Sequence, residues 1–308
     1  MSSDERPVTE SPTPATRRFD RALLQRFEGL ALHATRRFRG GRAGERRTRD
    51  RGASTEFLDH RAYVRGDDLR HLDWNLFARH DRLYLKRHHD TQDVVVHLVV
   101  DASGSMDFGE PTKLDRVVDL AAALSLIALA RGDRLVLHGL GSACPVPPRD
   151  LRGRRSWSRV LDWLASLEAS GEADLGAELR GLGNRLRRPG IVVVLSDLLH
   201  PGSTDGLSYL AAGRHELHAL QVLTEEEQRP DLIGALELED AETGALMNVT
   251  ATPRLMALFR QRLEEHRTTL GQALARAGSR LVEIDPNDSL EEIVLEKLQA
   301  QRVVTRSG

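Results

Sequence analysis

The chain has 308 residues, 40% hydrophobic and 29% charged, enough apolar material for one large domain with an appendage or for two domains. That balance excludes a wholly disordered chain, and a formal net charge of −2 gives no overall electrostatic case for nucleic acid. The single cysteine, Cys144, excludes an intramolecular disulfide and a zinc site built on several thiolates, so the expected compartment is reducing. The longest apolar stretch, Leu120 to Ala130, is interrupted by Ser125 and falls short of the roughly 20 residues that span a bilayer, so no membrane span is expected. The first residues, MSSDERPVTESPTPATRR, open with acids and prolines instead of a basic region and an apolar core. They do not read as a secretory signal, and the expected location is cytoplasmic.

Residues 1–16, rich in Ser, Thr, Pro and acids, read as a disordered leader. Residues 17–92 read as an amino-terminal extension. Within it, Leu23, Leu24, Phe27, Leu30 and Ala31 recur at helical spacing, which predicts a helix from Phe19 to Phe38 that Gly40 and Gly41 stop. Eight arginines lie between Arg36 and Arg51, making this a basic arm. No aromatic residue stands between Phe38 and Phe57 to stack on bases, so a solvated arm suited to an acidic protein surface is the reading favoured over a nucleic-acid arm. From Phe57 to Arg87, Gly66 supplies a turn, Asp67 or Asp68 caps a helix carrying Leu69, Leu72, Leu76 and Phe77, and Leu83 to Lys86 alternates as a strand.

From residue 93 to 303 strand and helix patterns alternate. Val94 to Val100 reads as a strand, and Thr112 with Asp115 signals the start of a helix over Lys113 to Arg131. A strand follows at Arg134 to Leu140, then helices around Trp157 to Leu167 and Leu175 to Leu186. Ile191 to Leu195 is a continuous apolar run, which fits a strand covered on both faces. Beyond it come a helix near Leu207 to Ala212, a strand at Leu217 to Val222, and a hairpin insertion at about residues 230–250 centred on Ala241 to Gly244. A long helix from Pro253 to Ala277, a strand from Arg280 to Ile284, and a helix begun by Ser289 with Glu292 close the pattern. The expected class is α/β, a doubly wound and mostly parallel sheet.

The chemistry concentrates at two strand ends. Asp101, Ser103 and Ser105 follow the first strand on a tight turn, and Asp197 follows the second. Ligands of open α/β sheets bind outside the carboxyl ends of the strands where strand order reverses, so neighbouring strands there would turn both carboxylates and both serines into one crevice. Oxygen-only donors of this kind suit Mg²⁺ or Mn²⁺. Asp-X-Ser-X-Ser alone also describes a polar turn bonded to its own backbone, and Asp197 at the second strand end is what favours the ion.

This set resembles the metal-ion-dependent adhesion site of von Willebrand factor type A domains, over roughly Val94 to Ile284. The resemblance implies that Ser103 and Ser105 ligate the ion directly, that Asp101 and Asp197 act directly or through water, and that an open position accepts an acidic side chain from a partner. The threonine expected in the middle motif is replaced: the matching stretch is Gly171, Glu172, Ala173, Asp174, and Ala173 stands where the hydroxyl belongs. Two readings follow: Glu172 or Asp174 offers a replacement oxygen, Asp174 equally reading as a helix cap, or the site is degenerate, with Ala173 marking its decay and binding carried by ordinary surface contacts.

A second set, Arg61, Tyr63, Gly66, Asp67, Asp68, Arg70, Asp73, Trp74, Ala78 and Arg79, with Glu56 and Phe57 before it, resembles the signature of the family called domain of unknown function 58. Asp240, Glu242 and Gly244 in the hairpin resemble that family too. The resemblance implies a bacterial-type adaptor working beside a MoxR-type AAA+ ATPase in assembling or maturing protein complexes, with an acidic-side-chain client. From the residues themselves, the signature reads as packing: a capped helix, Arg70 paired with Asp73, and Trp74 as an anchor.

His88 and His89 lack a second histidine pair at ligand spacing and read as strand residues. Glu225 to Glu227 read as a solvated loop, and Cys144 as a small buried or loop residue. No phosphate-binding loop, nucleophile elbow or His-Glu-X-X-His is present, so no catalytic residue is assigned. The alternatives to an adaptor are a metal-dependent hydrolase on the same oxygens, which lacks an evident general base, and nucleic-acid binding by the arginine arm.

Overall fold

The computed structural model describes residues 19–33, 56–63, 76–77, 83–89 and 94–306. The chain divides into two units, residues 1–37 with 94–308, and residues 38–93. The expected leader, the arginines from Arg36 to Arg51, and the signature residues Gly66, Asp67, Asp68, Arg70, Asp73, Trp74, Ala78 and Arg79 lie outside the described residues.

The first helix is shorter than its periodicity predicts. Helix α1 spans Arg21–Glu28, begins where the Asp20 side chain accepts from the Ala22 amide at 3.3 Å, and buries Phe27. Gly29 ends it, and Leu30–Leu32 form strand β1 instead of another helical turn. A strand partner far along the chain overrides local helical spacing here. This segment also belongs to the same unit as residues 94–308, whereas the sequence assigns it to a separate extension. In the other unit, β2 (Glu56–Ala62) and β3 (Tyr84–His89) pair antiparallel, and the Tyr63 amide continues the ladder by donating to the Leu83 carbonyl at 2.9 Å.

The larger unit is built on a six-stranded sheet. In chain order its elements are β4 (Val95–Asp101), α2 (Lys113–Ala130), β5 (Arg134–Leu140), β6 (Leu151–Arg152), α3 (Trp157–Leu164), α4 (Leu175–Arg185), β7 (Ile191–Ser196), α5 (Ser203–Ala211) and β8 (Glu216–Val222). A short helix α6 (Glu225–Gln228), the hairpin β9 (Gly234–Glu239) and β10 (Leu246–Ala251), helix α7 (Pro253–Arg276) and β11 (Arg280–Ile284) follow. The chain then runs through α8 (Leu290–Glu292), a π-helical turn (Ile293–Lys297) and α9 (Leu298–Ala300) into β12 (Val304–Arg306), which pairs antiparallel with β1.

The sheet order is β11-β8-β7-β4-β5-β6, parallel except for the edge strand β6. After β4 the chain moves outward to β5 and β6, then returns to place β7 on the other side of β4. The expected α/β class and doubly wound, mostly parallel topology are therefore what the chain adopts, an arrangement compatible with a von Willebrand factor type A-like fold. Every residue of β7 and β8 is buried, as strands covered on both faces must be. One core cluster joins Val99, Val192, Val194, Leu217 and Ala219 to residues of α4, α5 and α7. Helix α2 packs on the central strands through a separate buried set that includes Val117, Leu120, Leu124 and Ile127. Burying each such aliphatic side chain contributes about 1.5–3 kcal/mol, and the rigid frame so formed fixes where the strands end.

Candidate functional site

Pairing fixes the level of the two acidic strand ends. Val96 to Val100 of β4 lie opposite Ile191 to Leu195 of β7, so Asp101 and Ser196 end adjacent strands side by side, at the point where strand order reverses. The Ser196 hydroxyl donates to Asp101 Oδ2 at 2.6 Å, and the Ser103 amide donates to Asp101 Oδ1 at 3.0 Å. Both oxygens of Asp101 are thus held. The 3₁₀ turn Gly104–Met106 brings the Ser103 and Ser105 hydroxyl oxygens within 3.1 Å of each other. Gly104 is required at its place in this turn, because a Cβ there would come 2.5 Å from the Ala241 carbonyl oxygen.

Asp197 is held from three sides. Its Oδ1 accepts from the Leu199 amide at 3.2 Å, its carbonyl accepts from Gln221 Nε2 at 2.9 Å, and its Oδ2 accepts from Lys113 Nζ at 2.8 Å. Leu198, between them, has φ 57, a left-handed conformation that costs a branched residue about 1–2 kcal/mol. The strain is held in place by its amide on Ser196 Oγ at 3.0 Å and by its carbonyl, which accepts from Ser203 Oγ at 2.9 Å. Departures of this kind gather at functional sites.

Lys113 is the residue the sequence reading missed. Read as an ordinary first residue of a helix, it is only 1% exposed, and its ammonium bridges Asp197 and Glu227, the latter at 2.5 Å. Burial pulls its pKa down, yet the two carboxylates outweigh burial and raise it, so the ammonium stays charged. Glu227 also departs from the sequence expectation. The expected solvated loop is the helix α6, begun by a capping box in which Thr224 and Glu227 exchange hydrogen bonds, and this fixes the Glu227 carboxylate against Lys113. The only signal for it in the sequence was Thr-X-X-Glu itself.

Asp101, Ser103, Ser105 and Asp197 share one cavity of about 240 Å³, with Glu227 and the hairpin tip, residues 240–242, also lining it. The lining includes five carboxylates, those of Asp101, Asp197, Glu227, Asp240 and Glu242, of which Lys113, itself outside the lining, bonds Asp197 and Glu227, and so favours a cation. Burial, and then the Asp197 charge, raise the pKa of Asp101 to about 6, although the bonds from Ser196 and Ser103 work to lower it. An added positive charge would counter both by favouring the ionised carboxylate. Among the described residues no three His, Cys, Asp or Glu side chains meet as a metal cluster, so an ion here would rest on the serine hydroxyls as much as on carboxylates. The hydroxyl and carboxylate donors fit a hard divalent cation, and the volume leaves room for the waters that Mg²⁺ keeps.

The remaining expected residues separate from this group. Asp174 is exposed, caps α4 by accepting from the Ala177 amide at 2.9 Å, and is not among the residues lining the cavity. It acts as the helix cap of the two readings the sequence allowed. Glu172 likewise does not line the cavity, whereas Ala173 does. Arg61 lies in β2 and Tyr63 just after it, in the other unit. His88 and His89 lie in β3, as expected of strand residues. Cys144 is half-buried in a loop, and burial with the Glu178 and Asp101 carboxylates pushes its thiol up to about 11. No helix among the described residues is long and apolar enough to cross a membrane.

The family described as Protein of unknown function DUF58 matches residues 59–269. An uncharacterized protein of Mycobacterium tuberculosis and one of Mycobacterium bovis are each 30% identical over 251 residues, covering 79% of this chain and 78% of theirs. Among solved structures, conserved hypothetical protein BatB from Bacteroides thetaiotaomicron covers 68% of this chain and 97% of its own, at 13% identity and a TM-score of 0.43. An aerotolerance-related membrane protein from Bacteroides fragilis covers 67% and 99%, at 12% identity and a TM-score of 0.43.

Proposed function

This chain belongs to the DUF58 family, and on that premise we propose that it is a protein-protein interaction adaptor with an ion-dependent adhesion-type site. Ser103 and Ser105 would hold Mg²⁺ or Mn²⁺ through their hydroxyls, with Asp101 and Asp197 acting directly or through water. The ion would supply an open position for a Glu or Asp of a partner. The partner system implied by the sequence resemblance is a MoxR-type AAA+ ATPase with an acidic-side-chain client, in the cytoplasm, in the assembly or maturation of protein complexes.

The observation that supports this reading is the convergence of two hydroxyls and two carboxylates on one cavity whose lining has more negative than positive charge. Lys113 compensates Asp197 and Glu227 only, and Asp101 is left with its pKa raised. Docking of an acidic side chain into such a lining would be repelled without an intervening cation.

Asp101→Asn tests the proposal with the fold preserved. An amide in this place still accepts from the Ser103 amide and can donate to Ser196, whose hydroxyl also accepts, so both contacts survive while the charge is lost. Titration calorimetry should give heat with Mg²⁺ or Mn²⁺ for the wild type and none for the variant, and partner capture should disappear with chelator. Capture that is indifferent to both would remove the ion from the mechanism.

A further inference from the structure

The tip of the β9–β10 hairpin lies against the ligand turn. The arms pair from Gly234 with Ala251 to Glu239 with Leu246, and the turn between them is self-bonded: Asp240 Oδ1 accepts from the Glu242 amide at 3.0 Å and the Thr243 amide at 2.8 Å. This stiff tip presents two groups to the site. The Ala241 carbonyl fills the space that a side chain at position 104 would need, and Glu242 Oε2 accepts from the Ala173 amide at 3.3 Å. A carboxylate therefore reaches the one residue of the adhesion-site pattern whose side chain lacks an oxygen, and it lines the same cavity as Asp101, Ser103, Ser105 and Asp197.

The arms themselves bury little. Leu238, Leu246 and Met247 are exposed, and of the hairpin's longer aliphatic side chains only Leu236 and Val249 are half-buried. A two-stranded hairpin is marginal by itself in water, so contacts at the tip weigh heavily in where it rests. A carboxylate has about four lone-pair sites, and one bond to an amide does not exhaust them.

We propose that Glu242 is a tethered ligand of the ion site, supplying in cis the oxygen that Ala173 cannot. The inference rests on the ion reading above and extends it: ion occupancy and hairpin position are coupled, and the hairpin tip is part of the surface that a partner's acidic side chain meets. Binding the ion then orders the hairpin, and loosening the hairpin weakens the ion. Loss of the threonine hydroxyl is in this view an exchange of donors and not a decay of the site.

The test uses the full chain with Mn²⁺ as probe, in four forms: wild type, Glu242→Gln, Ala173→Thr, and the two changes together. Calorimetry should show Mn²⁺ bound about tenfold to a hundredfold more weakly by Glu242→Gln, the range that loss of an ion's supporting groups commonly produces. The double variant should return to near wild-type affinity, because the threonine restores an oxygen where the carboxylate was lost. Hydrogen exchange across residues 234–251 should slow on adding the ion to the wild type and stay unchanged in Glu242→Gln. Equal or tighter Mn²⁺ binding by Glu242→Gln, or no rescue by the threonine, overturns the role of Glu242 and leaves the ion site standing. A wild type that binds no Mn²⁺ overturns both.

Discussion

Strand β4 carries a buried titratable side chain in each half, and the two are given different surroundings. At its carboxyl end Asp101 is given a hydroxyl and an amide, and its neighbour Asp197 a lysine and an amide. Toward its amino end His97 meets other imidazoles: His138 with Nδ1 to Nε2 at 3.1 Å, and His215 edge-on with ring centres 6.0 Å apart. Its Nε2 has no hydrogen-bond partner among the described residues. Burial, then His138, His215 and Arg134, lower the pKa of His97 to about 3. Burial pushes both groups toward their neutral forms, but hydrogen bonds from Ser196 and Ser103 restrain the shift of Asp101 whereas neighbouring cationic groups add to that of His97, and the charge stabilised outright at the carboxyl end is that of Lys113. Lys113 shows that burial does not decide a charge state alone, because two carboxylates brought to it outweigh the burial.

The largest expected effect tests the charged end. Lys113→Met removes the ammonium from two carboxylates, of which the Asp197 side chain is only 5% exposed. Breaking a buried pair from one side costs about 3–5 kcal/mol. Urea denaturation at pH 7 in chelator measures it, and a loss below about 1 kcal/mol would show that the pair matters little to the fold.

Acidification tests the neutral end. Burial first, with Arg185, lowers His138 to about 4; burial also lowers His218 to about 4, with Glu216 opposing and Arg280 assisting. The folded-state values lie below the ordinary 6.5, so the unfolded chain takes up protons first as the pH falls. Stability present above pH 6.5 is lost progressively toward pH 4, by about 1–2 kcal/mol per histidine between pH 7 and 5. Asp101 runs the other way, gaining stability as the pH falls through about 6, and as one group it offsets only part of the loss from three. Denaturation midpoints that do not move between pH 7 and 5 would contradict this account.

The smallest effect sharpens the border of the site. Asp174→Ala should cost about 1 kcal/mol, the usual value of an N-cap, and leave Mn²⁺ affinity unchanged. A weakened affinity would return Asp174 to the ligand set.

The parts of this contrast that were legible in the sequence are those written in contiguous residues. The apolar runs before Asp101 and Ser196 are long enough to demand central strands, while the pairing that makes those strands neighbours is a property of the folded sheet. Lys113 was not legible, because its position in Thr-X-X-Asp reads as ordinary helix initiation and nothing local shows that Asp197 and Glu227 close over it. Glu242 was read as a hairpin residue, since contact with Ala173 depends on how the hairpin lies and not on its own sequence. The run from Leu30 to Leu32 satisfied helical spacing, and only its pairing with Val304 to Arg306 makes it a strand. Local pattern decides an element until a distant partner offers more hydrogen bonds.

The return of β7 to the side of β4 opposite β5 has a consequence for synthesis. A nascent chain that has emerged only as far as β5 already carries Asp101, Ser103 and Ser105, but the residues that grip Asp101 from the neighbouring strand, and Asp197 itself, have yet to be made. The tip that meets Gly104 arrives later still. The cavity is thus complete only after most of the polypeptide has been translated and folded, and an incomplete copy lacks part of its lining.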